Sequence, residues 1–207
     1  MTRSKAPDER YMTALELAWN KLTDSNIQAL SADAGASFHN GEISLPTFNQ
    51  RIVIDITTRS MRIGSEELAI FDKILALHYL LGCDRSKPTG NLISFAQAPG
   101  GEVYFSAFKK LSIDRLAEMF GDAPDSLMRA GSSLGGEPLK MATAAVKLSV
   151  YPMLPLVVLI WQGDDEVAAA ANLLFDESAV RILATEDLAV VGSSVIARLG
   201  KANRGAQ

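Results

Sequence analysis

The sequence predicts an α+β fold in a single domain, and three observations carry that prediction. Apolar residues recur at helical spacing towards both ends, two internal stretches alternate apolar and polar residues, and the connections between elements are short and rich in turn formers. Of 207 residues, 48% are apolar and 21% charged. A chain of this length buries roughly 70% of the surface that its extended form exposes. That supports one self-sufficient core and excludes a disordered chain or a small stapled scaffold. No repeat or long linker interrupts residues 1–207, so one domain is expected, with a core at about 10–199 and a flexible basic tail at 200–207.

Tyr11, Leu15, Ala18 and Leu22, widened by Leu17 and Trp19, predict an amphipathic first helix ending near Ala32–Gly35. Ile43 and Leu45, then Ile52, Ile54 and Ile56, then Met61 and Ile63 alternate with polar residues and predict a small antiparallel meander. Ser65 is placed to cap a helix with Glu66 and Glu67 in its first turn and Gly82 as its left-handed stop. Two stripes run along it: Leu68, Phe71, Leu75 and His78 or Tyr79, and Ile70, Ile74, Leu77 and Leu81. A helix apolar almost all round is a buried central helix.

Cys83–Gly90 reads as a loop, Leu92–Phe95 as a short apolar segment, and Pro99-Gly100-Gly101 as a turn. Val103–Phe108 fits a helix or an extended segment equally. Ser112 is expected to cap a short helix ended by Gly121, and Pro124 to open another reaching about Ala130. Val146, Leu148 and Val150 predict a half-buried strand, and Leu156–Trp161 a fully buried one. Their short connection predicts an antiparallel hairpin, because a parallel crossover needs about a dozen residues. Asn172–Phe175 adds a further strand. Thr185 is expected to cap a last helix lined by Leu188, Val191, Val195 and Leu199 and stopped by Gly200.

Lys and Arg number 20 against 24 Asp and Glu, a net charge of −4, without the basic excess of a nucleic-acid binder. Residues 164–187 hold seven acids against Arg181 alone, a local −6 that leaves the rest of the chain at +2. One Cys excludes an internal disulfide, a thiolate zinc site and a self-contained iron–sulfur cluster. The longest apolar run, Leu156–Trp161, is too short to span a membrane. The first ten residues hold no apolar signal stretch, so a cytoplasmic protein is expected. No phosphate-binding GxxxxGK[ST] or GxGxxG, no GxSxG, no HExxH and no CxxCH occurs.

His78-Tyr-Leu-Leu-Gly82, Ile93-Ser-Phe95, Pro99-Gly-Gly-Glu-Val-Tyr104 and Phe108 form one part of a longer pattern. Leu134-Gly-Gly136, Pro155-Leu156, Leu159-Ile-Trp-Gln-Gly-Asp-Asp-Glu166, Leu174-Phe-Asp176 and Thr185-Glu-Asp187 complete it. In this order, over roughly residues 10–195, they resemble the domain of unknown function 3786 family of mainly anaerobic bacteria and archaea. One departure is Val167-Ala168, where that family is expected to carry Phe-Pro. The resemblance implies company with iron–sulfur segments of corrinoid proteins, so a partner would have to bring any such cluster. It supplies no activity and no catalytic residues.

The leading expectation is a non-enzymatic ligand-binding or accessory protein, holding a tetrapyrrole or corrinoid-type ligand or docking on a metalloprotein partner. His78 would be the axial ligand, with Phe71, Tyr79, Tyr104 and Trp161 around it, since one imidazole among apolar rings suits that task. The plainer reading makes His78 a hydrogen-bonded core residue on a buried face. An alternative is a divalent-metal enzyme using Asp164, Asp165 and Glu166, three adjacent carboxylates after a buried strand; the plainer reading there is a turn closed by Asp164. Asp176 reads as a turn or cap acid and His39 as exposed. A Cys83 nucleophile would draw on His78, Arg85 and Lys87 nearby. A third class is a pure interaction module using the acidic face.

Overall fold

The computed structural model describes residues 9–85 and 87–205. Most of the N-terminal stretch read for a signal, and the last two residues of the basic tail, lie outside them. Among the described residues no helix is long and apolar enough to cross a membrane.

Helix α1 (Glu9–Thr23) buries Leu15, Ala18, Trp19 and Leu22, as its spacing requires, but leaves Tyr11 and Leu17 exposed. The expected single helix breaks at Asp24–Asn26. There the Asn26 side chain accepts from the Ala29 amide (3.1 Å) and caps a second helix, α2 (Ile27–Asp33).

The meander follows as β1 (Ser37–His39), β2 (Glu42–Thr47), β3 (Gln50–Asp55), β4 (Ser60–Ile63) and β5 (Glu66–Glu67), paired antiparallel in sequence order. Ile43, Leu45, Ile52, Ile54 and Met61 form its buried face. Where the sequence predicts a helix start at Ser65, the chain turns and enters β5 instead. Gly64, at φ +58°, turns the chain back so that Glu67 pairs with Arg62 and the Leu68 amide donates to the Met61 carbonyl.

Helix α3 (Ile70–Gly82) is the buried central helix, with Ile74, Leu75, Ala76, Leu77, Tyr79 and Leu80 out of solvent. One edge departs from the expected burial: Phe71 is 45% exposed and the His78 side chain 36%. Tyr79 donates to the Ala34 carbonyl (2.8 Å), accepts from the Met153 amide (2.9 Å), and stacks on Tyr151. Gly82 is a helical residue, not a left-handed stop. A Cβ there would lie 1.9 Å from the Ile182 carbonyl oxygen, so it is the absent side chain that this position requires.

The second sheet contains β6 (Leu92–Ser94), β7 (Glu137–Pro138), β8 (Ala144–Tyr151), β9 (Leu154–Trp161) and β10 (Ala170–Asp176), in the order β6-β10-β9-β8-β7. The β8–β9 hairpin is antiparallel, as its short connection demands. Strand β9 is buried on both faces up to Trp161. Leu156, Val158 and Ile160 enter the main core, while Val157 and Leu159 meet Ala145 in a small second cluster. The main core is continuous with the buried face of the meander. All four edge strands, β1, β5, β6 and β7, are two or three residues long.

Between β6 and β7 a helical rod covers the core: α4 (Gly101–Phe108), a π-helical turn (Lys109–Ile113), α5 (Asp114–Phe120), and then α6 (Pro124–Ser133). Ser112, expected as a cap, lies buried inside the π turn. After β10 come α7 (Ala179–Ile182) and α8 (Thr185–Gly205). Thr185 is the first helical residue and not the cap; its hydroxyl donates to the Pro99 carbonyl (2.6 Å), while the Ala184 carbonyl accepts from Leu188. Helix α8 also passes through Gly200, the expected stop, so residues 200–205 of the anticipated flexible tail are helical.

Asp176 holds the 83–91 loop to β10. It is buried, and its carboxylate accepts from the Thr89 amide and hydroxyl, the Gly90 amide (2.6 Å) and the Ser178 amide. Burial alone would raise this carboxyl; the donors outweigh it and hold it down at about 2.

Candidate functional site

Helices α1 and α3 and the α7–α8 corner enclose a groove of about 760 Å³. Leu17 of α1, Leu81 of α3 and Ile182 of α7 supply apolar walls, and His78 and Asp187 face each other across it. Leu17 therefore belongs to the groove and not to the core stripe in which its spacing placed it. Two local devices set the distance between the facing helices. The bare Cα of Gly82 lets α3 approach the Ile182 carbonyl, and Thr185 pins the start of α8 to Pro99.

His78 Nδ1 lies 2.8 Å from Asp187 Oδ2. A carboxylate only accepts, so Nδ1 is the donor in this contact, and a ring without a second proton would carry its lone pair on Nε2. Nε2 has no hydrogen-bond partner among the described residues. The Asp187 carboxylate also sits in the first turn of α8, where the helix dipole favours a negative charge. A carboxylate that orients an imidazole and raises its basicity is the arrangement found behind metal-ligating histidines.

The same pair makes up two of the three members of a nucleophilic triad, and Ser25 lines the same groove. Its hydroxyl, however, donates to the Lys21 carbonyl (2.6 Å), and no hydrogen bond joins it to His78 among the described residues. The groove therefore offers a directed lone pair without an activated nucleophile.

The other aromatic residues expected beside His78 are dispersed. Tyr79 is locked in the core by its two hydrogen bonds and by Tyr151. Phe71 lies edge-on to Tyr11 and lines a separate groove against α8. Tyr104 is exposed on α4, and Trp161 is exposed at the end of β9 opposite Ala170.

The acids after β9 do not converge either. Asp164 Oδ1 accepts from the Glu166 and Val167 amides, which closes the turn and lowers its carboxyl; Asp165 and Glu166 stand in solvent. Among the described residues no three His, Cys, Asp or Glu side chains gather as metal ligands would. Cys83 is buried, and burial pushes its thiol up to about 11, so the thiolate that a nucleophile needs is scarce. His39 ends β1 in solvent, as expected.

Sequence reasoning found His78 and missed its partner. Asp187 reads as an ordinary first-turn acid, and nothing local links residues 109 positions apart.

No curated protein and no solved structure matches the chain. The pattern described as Domain of unknown function (DUF3786) matches residues 26–198, which include most of α1's partners in the core, both sheets and the His78–Asp187 pair. The chain belongs to that family.

Proposed function

We propose that this is a non-enzymatic binding protein that presents His78 Nε2 to the metal of a tetrapyrrole or corrinoid-type ligand, in an accessory role to metalloprotein chemistry. The observation that carries the reading is the His78–Asp187 contact, which fixes the tautomer and leaves the second nitrogen without a protein partner. The residues present would hold such a group by a single imidazole, with apolar walls from Leu17, Leu81 and Ile182 and with Lys21 beside them for a ligand carboxylate. An iron or cobalt centre would supply an open coordination position there. The chain's own part is to orient the ring, hold the proton on Nδ1 and offer apolar contact along the Leu17 side.

The test is a visible-absorption titration with haemin and, separately, with aquocobinamide. Coordination by imidazole should appear with at least one of them and be lost in His78→Ala while the fold, read by circular dichroism, survives. Asp187→Asn should weaken it by about 10–100-fold. An unchanged spectrum in His78→Ala, or no coordination of either probe by the natural chain, overturns the reading.

A further inference from the structure

We infer that the outer face of α8 is a docking groove for an acidic amphipathic helix of a partner protein. The groove holds about 760 Å³, lies open to solvent, and shares no lining residue with the His78 groove, so it stands independently of that reading. Its floor is Ala189, Ser193 and Ala197, one ridge of α8 at a spacing of four residues. Side chains this small let a neighbouring helix axis come to about 8 Å, the near end of the usual range. Phe71 and Leu111 form the walls. Phe71 is propped edge-on by Tyr11 (4.6 Å), and the π turn carries Leu111 to the surface, where it is 48% exposed. Single-turn π segments in otherwise α-helical rods often mark functional positions.

From Ala189 to Lys201 the groove follows thirteen residues of α8, about 18 Å at the α-helical rise, which matches a three-turn partner helix. An acyl chain would call for an enclosed pocket, whereas an open trough leaves the occupant's outer face wet, as an amphipathic helix requires.

Charge selects the sign of the partner. Arg198 stands at one end, within 4.0 Å of Asp72 and 5.0 Å from the Phe48 ring centre, so its guanidinium is already positioned. A smaller trough of about 550 Å³ continues the groove through Leu111, Ser193 and Ala197 to Arg115 and Arg204, with Glu118 the acid beside them. Lys201, Arg115 and Arg204 have no ion-pair partner among the described residues. Cations flanking an apolar floor are complementary to a helix with carboxylates beside an apolar stripe.

The probe is a fluorescein-labelled helical peptide of four turns, with Leu and Ala on one face and Glu on both flanks. A scramble of equal composition removes the face. Fluorescence anisotropy should show the patterned peptide binding at least about tenfold tighter than the scramble, with affinity falling as salt rises. Ala197→Trp, which fills an exposed part of the floor, should abolish that preference, and Lys201→Glu with Arg204→Glu should reduce binding and its salt dependence. His78→Ala should leave binding unchanged. Equal binding of the scramble, or undiminished binding by a folded Ala197→Trp variant, overturns the inference. A dimer in sedimentation that Ala197→Trp dissociates would assign the groove to a second copy and overturn it as well.

Discussion

The two sheets have the same number of strands and the same antiparallel sense, yet they are assembled by different means. In the first, each strand pairs with the next one in sequence, through hairpins as tight as Asn40-Gly41. In the second, β6 waits for β10, and its pairing of Ile93 with Phe175 spans the whole helical rod and the β8–β9 hairpin. A local sheet needs only turns and alternation. A non-local one also needs something that closes the loop, and here that is Asp176 gripping Thr89 and Gly90. The two are nevertheless joined in one core, with Tyr79 bridging Ala34, just before β1, to Met153 in the β8–β9 turn.

The largest effects should come from the strand centres. Leu156→Ala and Ile54→Ala each remove a fully buried side chain and should cost about 2–5 kcal/mol in urea melts, within a single transition. Their kinetics should differ: Ile54→Ala should chiefly slow folding, because the local sheet forms early, and Leu156→Ala should chiefly speed unfolding. Equal partitioning at the two sites would erase the distinction between the sheets. Next, Tyr79→Phe leaves the Ala34 carbonyl and the Met153 amide without their shared hydroxyl and should cost about 2–3 kcal/mol. A neutral result would remove Tyr79 as the bridge.

Asp176 gives a pH signature confined to the second sheet. Its carboxyl is held below its unfolded value, so its contribution is fully present above about pH 4 and is lost as pH falls through about 2. That contribution is about 2 kcal/mol. In Asp176→Asn the acid limb of melting temperature against pH should flatten across this window, and the amides of 89–94 should exchange faster; an unaltered limb would mean that other carboxylates set it. The smallest effect belongs to Asp165→Asn, a solvated acid that should shift stability by no more than about 0.5 kcal/mol. A melting temperature that rises strongly with Mg²⁺ in the natural chain, and not in Asp165→Asn, would restore the divalent-metal alternative.

This contrast also explains what was legible in the sequence. The alternation of Ile43, Leu45, Ile52, Ile54 and Met61 reports the first sheet directly, because pairing and burial are both local there. The β8–β9 hairpin is legible for the same reason. Strand β5 is not: Ser65-Glu66-Glu67 has the chemistry of a helix start, and only Gly64's turn and the pairing with β4 override it. Gly200 invited a helix stop that α8 passes through, whereas α3 does end at Gly82, where the bare Cα serves packing against Ile182 and not a left-handed turn. In the candidate site, His78 was visible as one of two imidazoles in the chain, but its orientation depends on Asp187, brought to it by the tertiary fold.

The short outer strands have a consequence for how this protein can associate. Among the described residues each of the four sheet borders is a strand of two or three residues, which offers few free amides and carbonyls to template another chain. At these borders, recognition by strand addition and the commonest first step of amyloid growth are both disfavoured.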